Sequence, residues 1–225
     1  VEDTAQSIIV GFDSANAVER LALYDTDSLT LVDDGTAASH LTIAELREFI
    51  DLKQFDLANS VFDIVDSHQN ILTLLKGNSA DRSDILAAVD DIEINDSVTI
   101  DLTVADANVL ASHSVSHSSF GYHISDGGGQ VQGQIASGRV TGGDTDIGVL
   151  AGALAINTTD SGSLDITVAE YGALTTGTAL NATHSITDDR AAIQTAVNNA
   201  DAALTSANTN SITVSNEGRV QLNAS

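Results

Sequence analysis

The sequence predicts an α/β fold: a repeat solenoid of short parallel strands alternating with short helices, with a period of about 62 residues. Three observations predict it. First, "LTIAELREF" from Leu41, "LTVADANVL" from Leu102 and "ITVAEYGAL" from Ile166 write nearly the same nine residues, 61 and 64 positions apart. Second, an interleaved series reads "VEDTAQSI" from Val1, "IVDSHQNI" from Ile64, "ISDGGGQV" from Ile124 and "ITDDRAAI" from Ile186, with starts 63, 60 and 62 residues apart. Third, a weaker series reads "DSLTL" from Asp27, "DSVTI" from Asp96, "GSLDI" from Gly162 and "NSITV" from Asn210. Several motifs sharing one spacing are the mark of a stacked-repeat architecture.

The elements follow in order. Each first-series motif opens on a β-branched run with strand composition. A capping pattern follows: Thr42 and Glu45, Thr103 and Asp106, Thr167 and Glu170. A threonine hydroxyl there accepts from a free N–H at a helix start, and the acid three residues on reaches back. The helix then shows an apolar face: Ala44, Leu46 and Phe49, then Ala105 and Val109, then Ala169 and Ala173. In the second series Asp3, Asp66, Asp126 and Asp188 stand where an N-cap belongs, after a short apolar strand. Residues 83–94 and 145–156 carry the pattern of further short helices, each feeding a "DSVTI"-type strand.

Such a unit cannot bury its apolar face alone, whereas stacked neighbours can. The expected division is a partial first repeat over 1–40, repeats over 41–101 and 102–165, and a terminal repeat over 166–225, all in one continuous solenoid. Independent α/β beads are the alternative; the lack of a Gly/Ser/Pro linker between units favours the stack. The chain opens inside a second-series motif, so the expectation is either excision from a longer array or pairing of its ends with other copies.

Composition narrows the function. Asp and Glu total 32 against 8 Lys and Arg, a net charge of −24. Nucleic acid, bound mainly through cationic neutralisation of phosphate, is excluded as a partner. No apolar run approaches the ~20 residues of a membrane helix, so membrane insertion is not expected. With no Cys there are no disulfides, thiolate metal sites or cysteine nucleophiles. Apolar residues make up 42 % but aromatic residues only 4 %, which suits thin aliphatic layers.

The Ala/Thr/Asp/Val-rich texture of "ITVAEYGAL…SITDDRAAI" resembles the repeats of very large exported bacterial proteins. These are type I-secreted adhesins and surface-layer proteins related to the calcium-binding RTX class. The resemblance spans essentially the whole chain and rests on repeat texture. The RTX signature G-G-x-G-x-D is absent; "DGGGQ" from Asp126 and "GGDTD" from Gly142 come nearest. The resemblance implies an extracellular or cell-surface structural or adhesive protein whose partners are other copies of itself. A glycan- or protein-binding module, using one face of the solenoid and a surface glycan as ligand, is the alternative reading, and a polysaccharide-active enzyme ranks behind it.

Candidate sites are few. In "SHSVSHSSFGYH", His113 and His117 stand at i, i+4, a spacing that on a helix puts two metal ligands on one face. Asp144 and Asp146, beside Gly142 and Gly143, suit an oxygen-lined turn for calcium, the one cofactor expected; Asp13 with Asn16, or Asp90, Asp91 and Glu93, are lesser candidates. Phe120, Tyr122 and His123 form the only cluster with the character of a binding face. No G-x-S-x-G elbow, phosphate loop or dinucleotide fingerprint occurs, and a non-enzymatic role is expected.

Overall fold

The computed structural model describes residues 2–3, 8, 29–32, 40–50, 56–77, 80–96, 98–113, 115–116, 120–139, 148–216 and 220. The chain divides into two compact units: Val1–Ile100 with Val109–Gly121, and Asp101–Asn108 with Tyr122–Ser225.

In the first unit β1 (Glu2–Asp3) pairs in parallel with β2 (Thr30–Leu31). A second sheet has the order β3-β4-β5, from His40–Leu41, Phe62–Asp66 and Val89–Ile94, again with parallel pairs. Helix α1 (Ile43–Ile50) connects β3 to β4; α2 (His68–Lys76) and α3 (Ala80–Ala88) connect β4 to β5. A parallel pair needs such a crossover, because its strands run the same way. Helix α1 buries Ile43, Leu46 and Phe49, and α2 buries Ile71, Leu74 and Leu75, so the 3–4 spacing of apolar residues faces the sheet.

The second unit holds two sheets. One has the order β10-β8-β7-β6, with β6 (Ile100–Leu102), β7 (Tyr122–Asp126), β8 (Ala155–Thr158) and β10 (Ala179–Leu180). The other has the order β12-β11-β9, with β9 (Leu164–Ile166), β11 (His184–Asp188) and β12 (Thr209–Val214). The pairs β7–β8, β8–β10, β9–β11 and β11–β12 are parallel. The helices are α4 (Val104–His113), which runs from this unit into residues of the first, then α5 (Gly128–Arg139), α6 (Val168–Thr175), α7 (Arg190–Asn198) and α8 (Ala202–Thr205).

The strand registers place like side chains opposite each other. Ile64 faces Ile92, Ile124 faces Ile156, and Ile186 faces Ile212; Leu41 and Ile166 extend the first and third rows. A large ring-bearing residue opens each middle strand: Phe62, Tyr122 and His184, all buried. The α/β class with parallel sheets is as the sequence predicts.

Three local expectations are corrected. Residues 83–94 are not one helix: α3 ends at Ala88 and Val89–Ile94 is β5. Pairing with β4 decides this, because Ile92 and Ile94 alternate with polar residues and fit a strand once a partner is there. Within 145–156 the described residues form a single 3₁₀ turn, Gly148–Leu150, and then the start of β8. Third, the "DSVTI" series merges two kinds of strand. The motifs from Asp96 and Gly162 end in β6 and β9, which run straight into capping threonines, whereas "NSITV" lies in β12, beside β11.

Candidate functional site

The threonine–acid pairs form three capping boxes. Thr42 N–H donates to Glu45 Oε2 (2.8 Å) and Glu45 N–H returns to Thr42 Oγ1 (3.2 Å). Thr103 and Asp106 do the same at 3.3 and 3.1 Å, and Thr167 and Glu170 at 2.7 and 3.1 Å. These starts of α1, α4 and α6 were legible because a capping box needs only residues three apart.

The second-series aspartates do something the sequence did not suggest. Each ends a strand rather than capping the next helix itself; the caps are Ser67 and Asp189 one position later. The carboxylate of the strand-ending aspartate reaches the start of another helix. Asp66 Oδ2 accepts from Ile43 N–H at the head of α1 (3.0 Å), Asp126 Oδ2 from Val104 N–H at the head of α4 (3.0 Å), and Asp188 Oδ2 from Val168 N–H at the head of α6 (3.1 Å). The other oxygen takes the next N–H along the chain, from Ser67, Gly127 and Asp189, at 2.7–2.8 Å. One carboxylate thus ties a strand end to the start of the nearest α-helix upstream. The helix N-terminus favours this negative charge through its free N–H groups and its dipole.

A third set caps the helices after the middle strands. The first N–H of α2 donates to Asp96 Oδ2 (3.2 Å), that of α5 to Asp160 Oδ1 (3.0 Å), and that of α7 to Asn216 Oδ1 (2.9 Å). The His68 ring also meets Asp96 Oδ2 at 2.6 Å, and that bond holds the Asp96 carboxyl below its ordinary range. N–H groups of Gly128 and Gly162 do the same for Asp160. Gly128 stands where it does because of this contact: a Cβ there would lie 3.0 Å from Asp160 Oδ1 and 3.3 Å from the Gly162 carbonyl. The glycines of "DGGGQ" thus serve the close approach of a cap.

The edges of the sheets show a further recurrent contact. Along β2, Asp56 N–H donates to the Leu29 carbonyl (2.8 Å) and Val61 N–H to the Leu31 carbonyl (2.9 Å). Along β5, Ser116 N–H donates to Asp90 O and Ile92 N–H to Ser116 O, both at 3.0 Å, a parallel bridge. Along β8, β10 brings Ala179 N–H to Leu154 O (2.9 Å) and Asn181 N–H to Ile156 O (3.0 Å). At β5 and β8 an extended segment that follows a helix lies along the outer edge of an earlier strand; at β2 the edge is met by the two ends of a 3₁₀ turn, Leu57–Asn59, and Leu31 N–H donates to Ser60 Oγ (3.0 Å).

The sites expected from sequence fall as follows. Asp144, Asp146 and His117, with Asp13 and Asn16, lie outside the described residues. His113 is the last residue of α4, with Nδ1 2.9 Å from the Val109 carbonyl and Nε2 3.3 Å from Ser83 Oγ. Tyr122 is buried, and its hydroxyl donates to the Val149 carbonyl (2.7 Å); burial pushes its phenol up. His123 Nδ1 meets Asp101 Oδ1 at 3.2 Å, and Phe120 is half-buried. Tyr122 is thus a core residue, not part of an open aromatic face. Asp91 donates its N–H to Asp63 Oδ1, and its own Oδ1 is buried without a hydrogen-bond partner. Among the described residues no group of three or more His, Asp or Glu is placed to hold a metal ion. No helix among them is long and apolar enough to cross a membrane.

Sequence reasoning missed His184. It is fully buried, with Nδ1 3.0 Å from the Ala182 carbonyl, Nε2 3.0 Å from Thr209 Oγ1 and its ring centroid 5.3 Å from that of Tyr171. Its position four residues before Asp188, matching Phe62 and Tyr122 before their aspartates, was the available signal.

Comparison with protein-family models, curated proteins and solved structures yields no match.

Proposed function

We propose that this chain is a structural repeat protein: a segment of an extracellular surface layer, adhesin or filament, built as a stack of α/β repeats of about 62 residues. One observation carries this reading. Extended segments at Ser116 and Ala179–Asn181 pair with β5 and β8, and Asp56 and Val61, on either side of a 3₁₀ turn, donate their N–H groups to the edge at β2, so each proposed repeat hands a piece of backbone to the one before it. Backbone pairing of this kind joins units without any special side chain, and repetition then lengthens the object.

The polar groups fit a mechanical role. Asp66, Asp126 and Asp188, with Asp96 and Asp160, accept from backbone N–H groups and fix helix starts; this use needs no substrate. The large acidic excess keeps like molecules apart and soluble until cations screen it, and calcium is the cation we propose. The buried Tyr122 weighs against the glycan-binding alternative, which needs an exposed aromatic platform.

Sedimentation velocity and electron microscopy of the purified chain, with calcium and with EGTA, test the proposal. Polymers that lengthen with calcium and fall apart on chelation support it. A monomer at all protein and calcium concentrations sinks it.

A further inference from the structure

β12 differs from the strands it resembles. Ile92 and Ile156 are 0 % exposed and Leu31 is 1 % exposed, yet Ile212 is 46 % exposed. The register is the same: Ile212 faces Ile186 as Ile156 faces Ile124 and Ile92 faces Ile64. The backbone phase is the same too. Asn95, Thr159 and Ser215 each donate their N–H to the aspartate carbonyl ending the neighbouring strand, Asp66, Asp126 and Asp188. Alternation along the strand then turns the N–H and C=O of every second residue to the far edge. On β5 these are Asp90 and Ile92, which Ser116 occupies; on β8 they are Leu154 and Ile156, which Ala179 and Asn181 occupy. On β12 they are Asn210 and Ile212. Among the described residues β12 pairs only with β11, and it is the outermost strand of its sheet.

The geometry points to an interaction surface at this edge. We propose that the outer edge of β12 receives the extended segment of a further repeat of this same design, which runs parallel to it and covers Ile212. The proposal rests on the repeat reading above and names that repeat's partner. Continuity with the occupied edges of β5 and β8 argues for this occupant, since the same backbone edge in the same phase is met both times by an extended segment. The sequence adds a second argument. After β12 it reads Gly218, Val220, Gln221, Leu222, Asn223, the pattern of Gly162, Leu164, Asp165, Ile166, Thr167 that opens a repeat after β8. An uncovered strand edge is a template for such pairing.

The test uses the full chain, labelled with ¹⁵N, and a synthetic peptide of residues 176–183 (TGTALNAT), the segment that carries β10. With the peptide in excess, amide signals of Asn210 to Val214 shift, and exchange of the Ile212 amide slows by about tenfold or more. Ile212→Pro removes the outward N–H at a position where edge strands tolerate proline, and it abolishes the effect. If that variant does not fold, Ile212→Lys replaces it. Unchanged signals over Asn210 to Val214, with the Ile92 and Ile156 amides protected, overturn the proposal and leave the repeat reading intact. Fast exchange at Ile92 and Ile156 without peptide removes the repeat-to-repeat pairing itself. Protection of Ile212 that appears without peptide and grows with protein concentration assigns the edge to a second copy of the chain instead, and overturns the proposed occupant.

Discussion

β8 and β12 belong to the same unit, lie beside equivalent strands and carry an isoleucine at the same register, yet one isoleucine is sealed and the other open to water. β8 has β10 along its outer edge; β12 has no such strand among the described residues. Burial here is a property of the neighbour rather than of the residue or the strand. A strand of this design is finished only when the next segment lies on it, and that is what the proposed stack would require.

The sharpest test of that contrast is truncation at the two isoleucines. Ile156→Ala is expected to destabilise the chain by about 2–5 kcal/mol, through lost burial and the cavity left behind. Ile212→Ala is expected to cost less than about 0.5 kcal/mol, as for an exposed site. Urea unfolding of both variants reads the difference, and equal losses would break the comparison.

Next in size are the strand-ending aspartates. Asp66→Ala strips the acceptor from Ile43 N–H and Ser67 N–H in a buried setting and is expected to cost about 1–3 kcal/mol. Asp188→Ala removes the same bonds beside the open strand, where water replaces the lost acceptor more readily, so a smaller loss is expected. Thermal unfolding ranks the two, and the reverse order would count against the comparison. Thr167→Ala, which opens one capping box at α6, is expected to cost about 0.5–2 kcal/mol, seen as faster amide exchange at Glu170.

The smallest effect is acid-dependent. The carboxyls of Asp96 and Asp160 are held below 3.8 in the folded chain, by the His68 ring and by the Gly128 N–H respectively. Their contribution is therefore complete above 3.8 and is lost as the pH falls through the lower folded values. The starts of α2 and α5 should loosen first below that point, and Asp160→Asn should flatten the pH dependence of amide exchange at Gly128. Both carboxylates are exposed, so the effect on overall stability is small.

How much was legible depended on distance along the chain. The capping boxes at Thr42, Thr103 and Thr167 were read from residues three apart, because both partners lie within one turn. The misreading of residues 83–94 as helix has the opposite cause: Val89, Ile92 and Ile94 fit either period until β4 supplies a partner. The roles of Asp66, Asp126 and Asp188 were misplaced by one position and by a whole helix, since a carboxylate acting on an N–H 20 to 23 residues upstream leaves no local mark. His184 was overlooked because nothing in its sequence neighbours announces that Ala182 and Thr209 will meet its two nitrogens.

By itself the sequence determined the α/β class, the starts of three helices and the recurrence of motifs, since these depend on side-chain size, backbone preference and hydrogen bonds closed over a few residues. Only the tertiary structure decided which strand edges are covered, which carboxylate holds which helix, and that Ile156 is dry while Ile212 is wet. Those outcomes depend on groups brought together from distant parts of the chain, and the same isoleucine serves equally well in either setting.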